Sequence, residues 1–237
     1  MKKPKYMGHV LAGLGAGAVN GLFGAGGGMV LIPLLRLLTD LEDREIFASS
    51  LAIILPICLV SLAASPVIPW REALPYLIGS ALGGAAAGDL GAQNPGKMAS
   101  PRIGDPDYMG RAAVFMLESL PVILVIGTVL GFLTGLGIGG GSLLIIWLTT
   151  VLGMDTLTAR GINLLFFIPG AVIAICFRKK QGQIQWKTIL PPAAAGCAAA
   201  AVCAQLSTVV DNSFFRTLFA LILLAAGTRE LLWKPSS

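Results

Sequence analysis

The chain has 237 residues, of which 55% are hydrophobic and only 12% charged, and its mean hydropathy is +0.81. A soluble domain carries about a quarter charged residues, so this composition excludes an ordinary water-facing surface and predicts that most of the chain sits in lipid. The net charge of +5 is not a nucleic-acid footprint, because the basic residues lie at the edges of apolar runs and no polar domain exists to carry a basic face.

In chain order, Lys2, Lys3 and Lys5 precede a first apolar run over 7–38, which is interrupted by Gly26, Gly27 and Gly28. A polar loop with Asp40, Glu42, Asp43, Arg44 and Glu45 follows. Apolar runs at 46–64 and 73–90 are separated by a turn holding Pro66, Pro69, Trp70 and Arg71. Residues 91–111, rich in Pro, Gly and charge, read as a linker. A long apolar stretch over 112–152 is interrupted by Gly139, Gly140 and Gly141, and further runs cover 161–177, 188–206 and 214–232. Each span needs about 20 apolar residues, and the runs have helix lengths without the alternation of a membrane barrel. The expected fold is an all-α integral membrane protein of about seven or eight transmembrane helices. Arg178, Lys179, Lys180 and Lys187 form a second basic cluster, so both clusters are expected on the cytoplasmic side. The first run continues into a motif that recurs later, so it is expected to be the first helix and not a cleaved leader.

The chain repeats itself. A shift of 113 positions places Gly24 and Gly26–Gly28 on Gly137 and Gly139–Gly141, Leu31, Ile32 and Leu35 on Leu144, Ile145 and Leu148, and Pro56 on Pro169. With three more residues inserted, Ile68, Trp70, Arg71, Leu74 and Pro75 fall on Ile184, Trp186, Lys187, Leu190 and Pro191. The expected organisation is one membrane domain over 1–237, with a first half at 1–90, a linker at 91–119 and a second half at 120–237. Duplicated membrane halves are a transporter architecture, and the sequence leaves open whether these run parallel or inverted.

The glycine triplets carry the chemistry. Three glycines in an apolar span weaken a helix by roughly 1 kcal/mol each, and lipid tolerates such a break only where backbone lines a cavity. The helix restarting after the break presents unpaired amides and the positive end of its dipole, which makes an anion site without a charged side chain. The expected substrate-binding residues are therefore Gly26, Gly27, Gly28, Gly139, Gly140, Gly141 and Ser142, with Ser50 and Asn163, equivalent under the same shift, as polar neighbours. Asn20 and Thr134 also lie beside the motifs, and Arg160 opens a span. Gly13, Gly17, Gly21, Gly79 and Gly83 read instead as packing positions. Asp89 and Glu118 are the acids nearest membrane depth. Gly135, Gly137 and Gly140 fit GxGxxG, but both flanks are membrane-grade, which argues against a dinucleotide site. No catalytic residue, metal site or cofactor is expected: Cys58, Cys176, Cys197 and Cys203 form no CxxC pair, and His9 is the sole histidine.

The stretches GLFGAGGGMVLIPLL and GLGIGGGSLLIIWL resemble the paired signature of the sulfite exporter TauE/SafE family, and ARGINLLFFIPGAVIAI and GQIQWKTILPPAAAGCAAAA resemble the segments that follow its second copy. The resemblance covers nearly the whole chain apart from 91–119. Ile146 stands where the first copy has Pro33, and the first half is shorter than the family's eight-span pattern. The resemblance implies a multi-pass, bacterial-type inner-membrane permease for sulfite, sulfonates or related organic anions. The expected function is secondary transport of a small anion, with lipid as the other partner and no nucleic acid; homo-oligomerisation stays open. A passive channel or structural membrane subunit is the alternative, followed by a membrane enzyme. On this reading Gly27→Val or Gly140→Val abolishes transport while leaving the fold, and Gly17→Val harms the fold first.

Overall fold

A computed structural model describes residues 7–39, 41–90, 120–137, 140–182, 184, 186–206, 221 and 224. Among these the regular structure is helical: α1 (Met7–Phe23), α2 (Gly28–Leu38), α3 (Asp43–Ala63), α4 (Trp70–Leu90), α5 (Leu120–Leu136), α6 (Gly140–Ile146), α7 (Thr156–Lys180) and α8 (Trp186–Leu206), with a π-helical turn, Trp147–Val151, continuing α6. Among the described residues three helices are long and apolar enough to cross a membrane by length and composition, at Arg44–Ala63, Thr156–Lys180 and Trp186–Leu206; α1, α2, Pro121–Leu136 of α5 and the α6–π segment are shorter apolar helices. The run at 214–232, apart from Leu221 and Leu224, lies outside the described residues, as do the linker and Glu118.

Close approach of small residues sets the helix directions. Gly13, Gly17 and Gly21 of α1 abut the backbone of Pro192, Gly196 and Ala200, so α1 runs parallel to α8. Gly79 and Gly83 of α4 abut Gly127 and Gly131, so α4 runs parallel to α5. A Cβ at any of these positions meets backbone, so these glycines act in packing. Helix α7 follows α4 in the same direction: Gly161 meets Pro69, Ser80 donates to the Phe166 carbonyl at 2.5 Å, and Gly88 meets Phe177. Helix α3 opposes α7: Leu62, near its end, packs on the cluster that holds Ile162 and Leu165 from the first turns of α7, and Arg44, at its start, lies within electrostatic reach of Arg178 in the last turn of α7.

Two sets of three helices therefore run oppositely: α1, α3 and α8 one way, α4, α5 and α7 the other. Helices matched by the internal similarity, α1 with α5, α3 with α7 and α4 with α8, fall in opposite sets. The arrangement is inverted, the point the sequence left open. Leu90 and Leu120 lie at opposite ends of parallel helices.

The glycine interruptions differ from a simple break within one span. Gly8 abuts Leu38 and Gly15 meets Leu34, so α2 folds back along α1. Gly140 likewise abuts Leu130 and Thr134 of α5, so α6 also turns back. Each motif is thus the tip of a helical hairpin. The reversal needs residues at positive φ, and Gly24, Gly26, Gly27 and Gly137 supply them at +63°, +77°, +65° and +88°.

Local signals explain the ends of α7. Asp155 caps its first turn, accepting from Leu157 N at 3.1 Å and Thr158 N at 3.4 Å. Arg178, Lys179 and Lys180 complement the dipole in its last turn. This helix contributes Leu164, Phe167, Ala171 and Ala174 to the main core cluster and Ile162, Leu165 and Phe166 to the second.

Candidate functional site

The two hairpin tips meet at one buried cavity. It is lined by Ala25, Gly26 and Gly28 of the first tip, Thr134, Gly137 and Gly141 of the second, Leu51 and Ile54 of α3, and Phe167 of α7. Its interior has room for about one water molecule. Three of the expected binding residues, Gly26, Gly28 and Gly141, thus lie in its wall.

The other expected residues are placed differently. Gly27 caps α2 and packs on the Ala16 carbonyl, and Gly140 packs on Leu130 and Thr134, so both face a neighbouring helix. Ser142 is buried next to Gly141 on α6. Ser50 and Asn163 each reach across to the glycine tip of the other half: Ser50 Oγ lies against Gly137, and Asn163 donates to the Gly24 carbonyl. Gly24 and Gly137 are equivalent under the repeat shift, as are Ser50 and Asn163, so the two contacts form a symmetric pair. Gly139 and the side chain of Asp89 lie outside the described residues.

Hydrogen bonds tie the first tip down. Asn20, fully buried, accepts from Gly26 N at 2.7 Å and donates to Ser61 Oγ at 2.9 Å. Gly26's amide is therefore already satisfied by protein. The amides at the start of α2 are different: its cap, Gly27, has no side chain to bond them, so the positive end of α2 faces the cavity through Gly28.

Two arginines of α7 each stand at the tip end of one hairpin. Arg160, 3% exposed, donates to the carbonyls of Gly21 and Leu22 near the C-terminus of α1, and its aliphatic stem lies on Gly24. Arg178, 5% exposed, donates to Gly135 O and Leu136 O at the C-terminus of α5, both at 3.2 Å. Leu22 and Gly135 are equivalent positions of the repeat. A helix C-terminus leaves carbonyls unpaired and carries negative dipole charge, and each guanidinium answers both. At about 1.5 Å rise per residue the arginines lie about 27 Å apart along α7, with the cavity between them. In the sequence Arg160 reads as a span-end residue suited either to draw in an anion or to face headgroups, and Arg178 as part of a basic flank; the signal for their capping role lies in the tertiary fold.

No curated protein and no solved structure matches the chain. A family model does match it over residues 1–102 and 98–230, under the description Sulfite exporter TauE/SafE. Those segments take in both hairpins and both arginines, and the chain belongs to the TauE/SafE sulfite exporter family, a family of membrane transporters.

Proposed function

We propose that this protein is a multi-pass secondary transporter of the bacterial inner membrane that moves a small anion, such as sulfite, a sulfonate or a related organic anion, through the cavity between its two glycine tips. The observation that carries this reading is the convergence of Gly26 and Gly28 with Gly137 and Gly141 on one buried cavity, from hairpins that run in opposite directions. An inverted pair of re-entering elements around a central site suits alternating access, in which one half rocks against the other. The positive end of α2 supplies attraction for negative charge where no charged side chain among the described residues lines the wall. A cavity this small suits a closed state, with opening toward either side required for a sulfite-sized ligand. Sulfite exporter membership supports the substrate class.

Flux into proteoliposomes with sulfite, sulfate, thiosulfate, sulfoacetate and a carboxylate, with and without a pH gradient, tests the proposal. Transport is expected to follow anionic charge, with a neutral isostere of the best substrate moving at least about tenfold more slowly, since dipole attraction vanishes for it. Equal flux of the isostere defeats the anion reading.

The orientation has its own test. Met7 at the start of α1 and the Arg178–Lys180 turn lie at the same end of the bundle, since α1 and α7 run oppositely. With the basic clusters cytoplasmic, a cysteine introduced at Gln181 is expected to label from the cytoplasmic side alone. Periplasmic labelling there inverts the assignment.

A further inference from the structure

The repeat carries one motif that the cavity does not use. Trp70 and Arg71 open α4, and their counterparts Trp186 and Lys187 open α8. Both tryptophans are exposed, Trp70 by 58% and Trp186 by 49%, although an indole left in water forgoes a large apolar burial. Arg71 and Lys187 are exposed as well, and neither makes a hydrogen bond or ion pair among the described residues.

Each pair heads an apolar outer face. On α4 the exposed positions continue at Leu74, Ile78 and Leu82, and on α8 at Leu190, Ala194, Ala198, Val202 and Leu206. A spacing of four keeps each set on one side of its helix. Past the first turn α4 has no charged residue before Asp89, and α8 has none after Lys187. Each helix has 21 residues, a length of about 31 Å against a hydrocarbon core of about 30 Å. The order along each helix, indole and cation first and apolar residues after, is therefore the order of layers in a bilayer. Because α4 and α8 run oppositely, the two pairs stand at opposite ends of the bundle.

We infer that Trp70–Arg71 and Trp186–Lys187 bind phospholipid headgroups in opposite leaflets, each indole at the level of the acyl esters and each cation on a phosphate. An indole suits that level because its body is apolar and its N–H needs a polar partner. A long basic side chain lays its stem on hydrocarbon and lifts its charge to the phosphate. Each half of the repeat is thereby moored to one surface of the membrane. Glu72, exposed in the same turn as Arg71, offsets its charge, whereas Thr188 follows Lys187. The second pair therefore prefers an anionic lipid, while the first accepts a zwitterionic one. The inference requires that the chain lie in a membrane and does not depend on what it carries.

The test is tryptophan fluorescence of the full-length protein in phosphatidylcholine vesicles. Two single-tryptophan forms keep Trp70 or Trp186, with the other three tryptophans changed to Phe. Where such a form does not fold, the difference between the parent and Trp70→Phe, or Trp186→Phe, reads the same signal. Lipid brominated near the acyl esters is expected to quench each indole at least about twofold more than lipid brominated near the chain ends. In sealed vesicles with uniformly oriented protein, external iodide is expected to reach one indole and not the other. Brominated phosphatidylglycerol is expected to quench Trp186 at least about twofold more than brominated phosphatidylcholine, and Trp70 about equally. Lys187→Gln is expected to abolish that preference and Lys187→Arg to keep it. Quenching strongest from the chain ends overturns the inference. So does iodide reaching both indoles alike, which places both pairs on one surface. Absence of quenching by any brominated lipid also overturns it and points to a second copy of the chain covering these faces. A phosphatidylglycerol preference that survives Lys187→Gln removes the cation from the site.

Discussion

Arg160→Leu is expected to destabilise the protein by about 2–4 kcal/mol and to cut anion flux more than tenfold in whatever folds. The leucine fills space against Gly24 but leaves the Gly21 and Leu22 carbonyls without the donors they have now. Each buried carbonyl stripped of its partner costs about 1–3 kcal/mol, offset in part by release of a buried charge. Flux suffers because those carbonyls end the helix that carries the first tip. Arg160→Lys keeps charge but loses the planar fork, so an intermediate loss is expected. Arg178→Leu is expected to act alike on the second tip through Gly135 and Leu136. With about 27 Å between the two positions, the stability losses of the double variant are expected to add within about 0.5 kcal/mol. Extracted yield, melting temperature and flux check all four. An Arg160→Leu protein that melts and transports like the parent shows that the capping is dispensable.

The glycine tips separate into two kinds of position, with opposite expected outcomes. At Gly26 a Cβ meets only the Phe167 ring, at 3.8 and 4.0 Å, so the space exists; the obstacle is φ of +77°, which costs an L-residue about 1–2 kcal/mol. Gly26→Ala is expected to yield folded protein with at least tenfold weaker apparent anion affinity, because its methyl group enters a cavity of about one water molecule. Gly27 and Gly140 behave differently. A Cβ on Gly27 comes within 2.6 Å of the Ala16 carbonyl, and one on Gly140 within 2.6 Å of Thr134 Oγ1. Gly27→Val and Gly140→Val are therefore expected to lose folded protein, as Gly17→Val does against the Gly196 backbone. The contrast drawn from sequence, with Gly27 and Gly140 as site and Gly17 as packing, gives way to one in which Gly26 stands against all three. Yield and melting temperature separate the groups, and flux on the surviving Gly26→Ala decides the site. Unchanged affinity in that variant moves the anion away from the first tip.

The membrane class, the helical runs and both glycine interruptions were legible in the sequence, because lipid imposes its requirement locally: each span must be apolar along its own length and satisfy its own backbone. The same holds for packing at Gly13, Gly17 and Gly21, whose spacing of four puts them on one helix face. Ser50 and Asn163 could be paired by the repeat shift alone. The direction of the chain after each triplet could not. A helix broken by glycine and a hairpin turning on glycine have the same composition, and only the contacts of Gly8 with Leu38 and of Gly140 with Leu130 distinguish them. Nor could the sequence say which glycine faces a cavity and which a neighbouring helix, since that depends on how α1, α5 and α7 come together. Hydrogen-bond direction was equally out of reach: Ser50, Thr134 and Asn163 read as donors for an oxyanion until Phe47, Leu130 and Gly24 were seen to take their protons. Sequence by itself determined what lipid demands of each segment and where the chain had to break. The tertiary structure decided the inversion of the halves, the capping of two distant helix ends by Arg160 and Arg178, and which residues wall the cavity between them, because each arises from groups that the chain brings together only on folding.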